Sequence, residues 1–186
     1  MTKKNDEIEN IAKRYYLGAN QSTIRALQGA ERREGFPTNL LVGIFLIESK
    51  ARPLIARSIE YLCVFAGIAG QLFFQKPVKS YTIGKFQVGL PEIMNYIGVN
   101  VYDHTPYVKV PVSKIPAFLN ALLEPTQVEI LTIEVLRFYK RAVKIYGEKN
   151  VDKICIYIGE QYNGRYSYGL LLGSIVSKLS EWTGKA

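Results

Sequence analysis

The sequence predicts a mainly α-helical fold with a small irregular or β insertion, and three observations support that prediction. Apolar residues recur at the three- and four-residue spacing of amphipathic helices along most of the 186-residue chain. Glycine and proline residues interrupt this pattern at several points, where helices are expected to begin or end. Residues 77–88 change to short segments in which apolar residues alternate with small or polar ones, as in strands, and residues 100–111 are expected to form an irregular loop or an edge-like excursion.

Nine helices are expected from these patterns. Ser22 is the expected N-cap of the second helix, and Thr38 or Asn39 is the expected N-cap of the third. The fourth is so apolar that we expect most of it to be buried, with Gly67 and Gly70 allowing a neighbour to approach closely. The predicted helices span residues 6–17, 22–33, 39–49, 54–74, 91–97, 113–123, 125–146, 152–162 and 166–182.

The composition predicts one globular domain. Hydrophobic residues make up 48% of the chain and charged residues 22%, which suits a folded protein with a substantial core. We expect residues 1–37 to form an N-terminal helical extension packed on a domain of residues 38–186. The first ten residues are polar, so no signal peptide is visible. The most apolar stretch, residues 61–74, is interrupted by Gln71, so no stable membrane insertion is expected.

The charge of the chain predicts an acidic partner. Its 24 Lys and Arg outnumber its 16 Asp and Glu, which gives a formal net charge of +8 and a pI near 9.4. Nucleic acid, an anionic membrane surface and an anionic polysaccharide such as the bacterial cell wall all fit this charge. The basic residues are scattered over several predicted helices, so nucleic acid ranks last and is not expected. The oligomeric state and the localisation stay open.

The chain offers few ligands for a cofactor. His104 is its one histidine, and Cys63 and Cys155 are its two cysteines, each in an apolar segment typical of a core. A histidine-rich metal centre is therefore excluded, and no metal or other cofactor is expected. Any Ser/His or Cys/His mechanism would have to use His104, which lies in a predicted loop.

One carboxylate stands out because of its position. Glu48 ends an apolar run, and helical spacing places it on the same side as Leu41, Ile44 and Phe45. Burial disfavours its charged form, as does the negative end of the helix dipole, because Pro53 ends the helical pattern soon afterwards. The sequence therefore predicts a raised pKa for Glu48, which suits a general acid. The alternative is that the helix simply ends here and Glu48 reaches water.

Three short motifs follow one another along the chain. Glu48-Ser49 ends the apolar helix, a Gly-x-x-Gln segment ending at Gln87 lies in the insertion, and Tyr162-Asn163 ends a late helix. In this order they resemble the lysozyme-like lytic transglycosylases, the family that also includes goose-type lysozymes. The resemblance covers about residues 38–168. It implies a lysozyme-like helical domain that cleaves the glycan strands of peptidoglycan.

The resemblance implies a role for each motif. Glu48 would be the catalytic acid and base, and Ser49, Gln87, Tyr162 and Asn163 would bind substrate. The side chains suit these roles, because the Gln87 amide can both donate to and accept from an N-acetyl group. Tyr162 combines an aromatic face for a sugar ring with a hydroxyl that could bond to Glu48. The structural alternatives are a loop glutamine, a core tyrosine and a helix C-cap after Asn163.

The implied reaction is cleavage of the β-1,4 bond between N-acetylmuramic acid and N-acetylglucosamine. Glu48 would protonate the glycosidic oxygen and then deprotonate either the sugar's 6-hydroxyl, as a lytic transglycosylase does, or water, as a lysozyme does. In this family the substrate's acetamido oxygen generally stabilises the anomeric carbon in place of a second carboxylate. Glu60, Glu92 and Asp103 are the candidates for a second acid here, although we expect Glu60 to be a solvated surface charge.

Several positions depart from the family pattern. The gap between Glu48 and Gln87 is longer than usual, Phe86 replaces the usual Met or Leu, and Gln161 replaces a small residue. These departures favour a competing hypothesis, in which the chain is a non-catalytic lysozyme-like module that binds the wall in a phage particle or a secretion apparatus. Binding of chitooligosaccharides without turnover would support that hypothesis.

Overall fold

A computed structural model of the protein describes residues 20–51, 54–83, 86–102 and 105–183. This part of the chain is mainly helical, so the predicted mainly α class is confirmed. The helix predicted over residues 6–17 lies outside the described residues. The eight described α-helices are α1 (Gln21–Glu34), α2 (Leu40–Ala51), α3 (Leu54–Phe74), α4 (Leu90–Tyr96), α5 (Ile115–Ala121), α6 (Glu124–Tyr146), α7 (Val151–Asn163) and α8 (Tyr166–Thr183).

Two small antiparallel ladders form the predicted β insertion. Strand β1 (Val78–Lys79) pairs with β4 (Tyr107–Val108), and β2 (Thr82–Ile83) pairs with β3 (Val88–Gly89). One residue of each strand is buried, as expected when successive side chains point to opposite faces. These buried residues are Val78, Ile83, Val88 and Val108. Strand β4 lies within residues 100–111, for which the sequence predicts an irregular loop or an edge-like excursion.

By its contacts the chain divides into two compact units. The first comprises Met1–Lys50 and Thr132–Ala186, and the second comprises Ala51–Leu131. Within the described residues, the first unit contains α1, α7, α8, nearly all of α2 and most of α6, whereas the second contains α3 to α5 and all four strands. The division predicted from the sequence, at residues 37 and 38, stays a prediction.

Helix α2, most of which belongs to the first unit, is buried on all sides. Every residue from Leu40 to Glu48 is buried, which explains why its sequence is apolar all round instead of along one stripe. A Cβ atom at Gly43 would lie 2.9 Å from Leu172 Cδ1 and 3.2 Å from Val176 Cγ2, both on α8. The missing side chain of Gly43 therefore lets α2 and α8 pack closely.

The N-terminus of α2 is held by an acid from α1. Glu31 is buried, and its carboxylate accepts hydrogen bonds from the backbone N–H groups of Asn39 (2.9 Å), Leu41 (2.7 Å) and Val42 (3.2 Å). A negative group at this end also interacts favourably with the helix dipole. Asn39 precedes the helix as predicted, but its φ of 68° is left-handed and not the extended conformation usual for an N-cap. Glu31 therefore does the capping that the sequence assigns to Thr38 or Asn39.

The N-terminus of α1 also differs from its prediction. The Asn20 side chain accepts a hydrogen bond of 3.0 Å from the Ser22 backbone N–H, so Asn20 is the N-cap and Ser22 lies in the first turn. The C-terminal ends of α6 and α7 lie close to their predicted positions. The glycines that follow them, Gly147 and Gly164, have φ of 77° and 73°. Glycine adopts this left-handed conformation without steric cost, and it commonly ends helices.

Helix α3 has the predicted bounds but not the predicted burial. Only 22% of its most apolar window, within Ile55–Phe74, is buried, so the expectation of a mostly buried helix is wrong. Its inner side packs on β1 and β2, and a Cβ at Gly67 would lie 2.8 Å from Val78 Cγ1, whereas Gly70 faces open space. Within the described ranges, α3 is the one helix that is long and apolar enough to cross a membrane. A single candidate of this kind does not indicate strong membrane insertion.

Candidate functional site

Glu48 lies in the last full turn of α2 and is only 6% exposed. The predicted burial of this carboxyl group is confirmed, and the alternative that it reaches water is wrong. The helix continues to Ala51, so Glu48 is near the negative end of the α2 dipole, as predicted. Ser49, the next residue of the motif, is half-buried.

Antiparallel packing of α2 on α8 determines what Glu48 faces. Near the start of α2, the Asn39 side chain lies 3.5 Å from the Ser180 hydroxyl. One turn later, Gly43 contacts α8 at Leu172. Later residues of α2 therefore contact earlier residues of α8, which means that the two helices run antiparallel. The C-terminal end of α2 consequently lies beside the first turn of α8. Tyr168 occupies that turn.

Tyr168 interacts directly with Glu48. Burial raises the pKa of the Tyr168 hydroxyl well above its usual value of 10.0, and the negative charge of Glu48, the nearby Tyr162 and a hydrogen bond to Glu48 raise it further. The contact falls short of standard hydrogen-bond geometry, and no other described residue bonds to this buried hydroxyl. A raised pKa keeps the Tyr168 proton in place at neutral pH, where the hydroxyl can donate to the Glu48 carboxylate.

Tyr162 is brought to the same place by the turn between α7 and α8. The two helices approach so closely that a Cβ at Gly159 would lie 2.5 Å from Gly169 Cα, and one at Gly169 would overlap the Ile156 carbonyl oxygen. The rings of Tyr162 and Tyr168 consequently lie 6.1 Å apart between centroids, tilted by 42°. The motif tyrosine therefore lies beside the tyrosine that faces Glu48.

Tyr168 is not predicted by the three motifs. Its only signal in the sequence is its place six residues after Tyr162, just beyond the Gly164 turn. Asn163 is the last residue of α7 and is exposed, and the Gly164 N–H donates to the Glu160 carbonyl at 2.8 Å. The C-cap predicted as the structural alternative is therefore confirmed at Gly164.

The second unit contains a polar cluster formed by Thr82, Gln87 and Glu60. The Thr82 hydroxyl donates to Gln87 Oε1 at 2.8 Å, and Gln87 Nε2 donates to Glu60 Oε2 at 3.3 Å. Gln87 and Glu60 are each 9% exposed. The amide of Gln87 is therefore held at both its oxygen and its nitrogen by residues of its own unit.

The β2–β3 hairpin positions Gln87 in this cluster. Phe86 is fully buried, and Ile83 pairs with Val88 across the hairpin, so the chain on both sides of Gln87 is anchored. Gln87 itself has a φ of 52°, in the left-handed region that is costly for residues other than glycine, asparagine and aspartate. Such strain persists only where the surrounding packing enforces it and is common at functional sites.

Glu60 is not the solvated surface charge that the sequence predicts. It is turned inward together with Arg57, one helical turn earlier, which is also buried. The reason is that the outer side of α3 is apolar, so its two charged residues face the rest of the unit. Among the other candidate acids, Glu92 is half-buried in the first turn of α4, and Asp103 lies outside the described residues, as does His104.

Possible metal ligands are not grouped among the residues that the structure describes. No set of three or more His, Cys, Asp or Glu side chains that could hold a metal ion occurs within the described ranges. Cys63 and Cys155 are free thiols, and burial raises the pKa of the Cys155 thiol to about 12. The predicted site residues thus fall into two groups, with Glu48, Ser49, Tyr162 and Asn163 in the first unit and Gln87 and Glu60 in the second.

Comparisons with protein-family models, with curated proteins and with solved structures found no match to this chain. The resemblance to lytic transglycosylases therefore depends on the three motifs and their order.

Proposed function

We propose that this protein is a peptidoglycan-cleaving glycosidase, a lytic transglycosylase or a lysozyme, with Glu48 as its general acid and base. The observation that supports this proposal most is the Glu48 carboxyl group, buried near the end of an apolar helix and facing the Tyr168 hydroxyl. Burial of a carboxyl group favours its neutral form, which is the form that donates a proton.

In the first step, neutral Glu48 gives its proton to the oxygen of the β-1,4 glycosidic bond. The bond to the anomeric carbon breaks as oxocarbenium character develops, and the leaving sugar departs as an alcohol. Glu48 is then a buried carboxylate. The Tyr168 hydroxyl, whose raised pKa keeps it protonated, stabilises that carboxylate by donating a hydrogen bond.

In the second step, the Glu48 carboxylate takes a proton back. Removal of a proton from the sugar's own 6-hydroxyl gives a 1,6-anhydro product, whereas removal from water gives a reducing end. Tyr162, tilted against Tyr168, offers an aromatic surface for a sugar ring, and Ser49 and exposed Asn163 are further substrate contacts in this proposal.

The resemblance also assigns substrate binding to Gln87. The contacts of Gln87 add a neighbouring acid to this part of the proposal. Gln87 bonds to Glu60, so the cluster presents a carboxylate as well as an amide. Glu60 and Asp103 therefore stay the candidates for a second acid in the proposed reaction. Glu60→Gln keeps the size and polarity of the side chain. If Glu60 contributes charge to catalysis, this variant loses activity while it keeps its fold.

A cell-wall clearing gel tests the role of Glu48. The wild-type chain is expected to clear a band of embedded peptidoglycan, and Glu48→Gln is expected to leave it intact. Glu148→Gln is the matched control, because Glu148 is exposed in the turn after α6 and undergoes the same chemical change. Equal clearing by wild type and Glu48→Gln would overturn the assignment of Glu48.

Mass spectrometry of the released fragments separates the possible activities. Anhydro-muramyl ends identify a lytic transglycosylase, and reducing ends identify a lysozyme. Binding of chitooligosaccharides or wall fragments without any released product would instead support the alternative function, a non-catalytic wall-binding module of a phage particle or secretion apparatus.

A further inference from the structure

The outer side of α3 is an exposed apolar face. Large hydrophobic side chains recur along it at helical spacing, and the two phenylalanines at its end are 79% and 74% exposed. We call this surface the α3 face. It comprises Ile55, Ile59, Leu62, Phe65, Leu72, Phe73 and Phe74.

No charged side chain interrupts the α3 face. The only charged residues of the helix are Arg57 and Glu60, and both are buried on its inner side. Gln71 is buried there as well, and its amide bonds to the Val110 backbone at both its nitrogen (2.6 Å) and its oxygen (2.8 Å). Charged residues inside and apolar residues outside reverse the usual pattern of a helix on a protein that water surrounds.

Three lysines lie close to the phenylalanine end of α3, either along the chain or across the β1–β4 ladder. Lys76 follows α3 closely, and Lys79 is in β1. Lys109 directly follows β4, and the antiparallel register of β1 and β4 places it opposite Pro77. All three side chains are exposed, and the sequence contains no Asp or Glu between Glu60 and Glu92. The segment that leaves the phenylalanine end of α3 is therefore basic and contains no acidic residue.

We propose that the α3 face binds the surface of an anionic lipid bilayer, with α3 lying in the plane of the headgroups. Apolar side chains buried at the boundary with the acyl chains, together with lysines near anionic headgroups, are what holds such helices at a membrane. The inner side of α3 is bonded to its own unit through Gln71 and Glu60, so only one side is available to lipid. This makes in-plane binding, and not crossing of the bilayer, the arrangement that fits.

Lipid fits this face better than a second copy of the chain. A stable protein interface usually combines an apolar centre with a polar rim, whereas the α3 face is apolar along its whole length and has its charge at one end. The chain also carries a net charge of +8, so an anionic surface attracts it whereas a second copy repels it. The proposal is independent of the proposed wall-cleaving activity.

Co-sedimentation of the full chain with lipid vesicles tests this proposal. Binding is expected to vesicles of phosphatidylglycerol and phosphatidylcholine, to be much weaker to phosphatidylcholine alone, and to weaken as salt is raised. The double variant Phe73→Ser and Phe74→Ser is expected to bind at least about tenfold more weakly, because two exposed aromatic side chains no longer enter the bilayer.

Charge and specificity are tested by two further variants. Replacing Lys76, Lys79 and Lys109 together by Gln is expected to lower binding to anionic vesicles on the order of 100-fold at low salt, from about fivefold for each lysine. Ile133→Ser combined with Ile145→Ser is the control, because both residues are exposed on α6, outside the α3 face. It is expected to bind like wild type, and circular dichroism checks that every variant is folded.

Three outcomes would overturn the proposal. The first is that the folded wild-type chain does not bind anionic vesicles at low salt. The second is that the phenylalanine variant binds them as tightly as wild type. The third is that the chain does not bind vesicles but forms a lipid-free dimer, seen by sedimentation velocity, that requires Phe73 and Phe74. That result would show that the α3 face binds a second copy of the chain.

Discussion

The Glu48 carboxyl group and the Tyr168 hydroxyl face each other where the end of α2 lies beside the first turn of α8. Both residues are buried, and each affects the proton of the other, since the charge of Glu48 raises the pKa of Tyr168. A protonated hydroxyl in this position favours the carboxylate form of Glu48 by donating to it. In the proposed reaction Tyr168 is thus a positioning residue. It stabilises the Glu48 carboxylate, which burial alone would destabilise.

Tyr168→Phe tests this role. Removing a hydrogen bond to a charged group costs about 1.5–3 kcal/mol, so we expect wall cleavage to slow by about 10- to 100-fold. Without the hydroxyl the pKa of Glu48 should rise, so the activity of the variant should reach its maximum at a higher pH. Tyr166→Phe, an exposed position on the same helix, should cleave like wild type. A pH–rate profile that Tyr168→Phe leaves unchanged would show that the hydroxyl is merely structural.

The raised pKa of Tyr168 also predicts how stability depends on alkaline pH. An unfolded tyrosine loses its proton near pH 10.0, whereas the folded Tyr168 keeps it. The unfolded state therefore binds fewer protons above pH 10, and this group lowers the free energy of unfolding as pH rises beyond that value. Urea denaturation at pH 9 to 11 should show a shallower loss of stability for Tyr168→Phe than for Tyr166→Phe. Parallel curves for the two variants would contradict this.

Glu31→Ala is expected to destabilise the fold by about 2–4 kcal/mol. The change leaves three backbone N–H groups at the buried start of α2 without their acceptor, and each buried unsatisfied donor is costly. Glu34→Ala removes a partly exposed carboxylate from the same helix, paired with Arg33, and should change stability by less than about 1 kcal/mol. Chemical denaturation of both variants measures the difference, and an equal effect would exclude capping by Glu31.

Two glycine-to-alanine variants are expected to have opposite effects. Gly169→Ala places a methyl group against the Ile156 backbone, which cannot rotate away, and should cost at least about 2 kcal/mol of stability. Gly29→Ala, in the interior of α1, meets nothing within 4 Å and should stabilise the protein by about 0.5–1 kcal/mol. Thermal unfolding of both variants distinguishes the close helix contact from the general preference of helices for alanine.

Most helix positions could be predicted from the sequence because local signals determine them. Gly147, Gly164 and Pro91 mark helix ends in the structure as they do in the sequence. The burial of α3 could not be predicted, since an apolar 21-residue run reads as a core helix whichever side faces inward. The inward direction of Arg57 and Glu60 follows from tertiary contacts, and hydrophobic spacing does not encode these.

The candidate site shows the same limit. The burial of Glu48 could be predicted because this residue directly follows a helical run that is apolar all round. The place of Tyr168 opposite Glu48 could not be predicted, because it depends on the antiparallel packing of α2 on α8. The contact of Gln87 with Glu60 joins residues 27 positions apart through the β2–β3 hairpin, and no short motif reports such a contact.

The most direct test of the central proposal is the rate at which purified peptidoglycan releases soluble glycan fragments, followed by mass spectrometry. Wild type is expected to release fragments with anhydro or reducing ends, and Glu48→Gln, at equal concentration and confirmed as folded, is expected to be slower by about 100- to 10,000-fold. Glu148→Gln should match wild type. If folded wild type releases no fragments, or if Glu48→Gln releases them at the wild-type rate, the proposed function of Glu48 is contradicted.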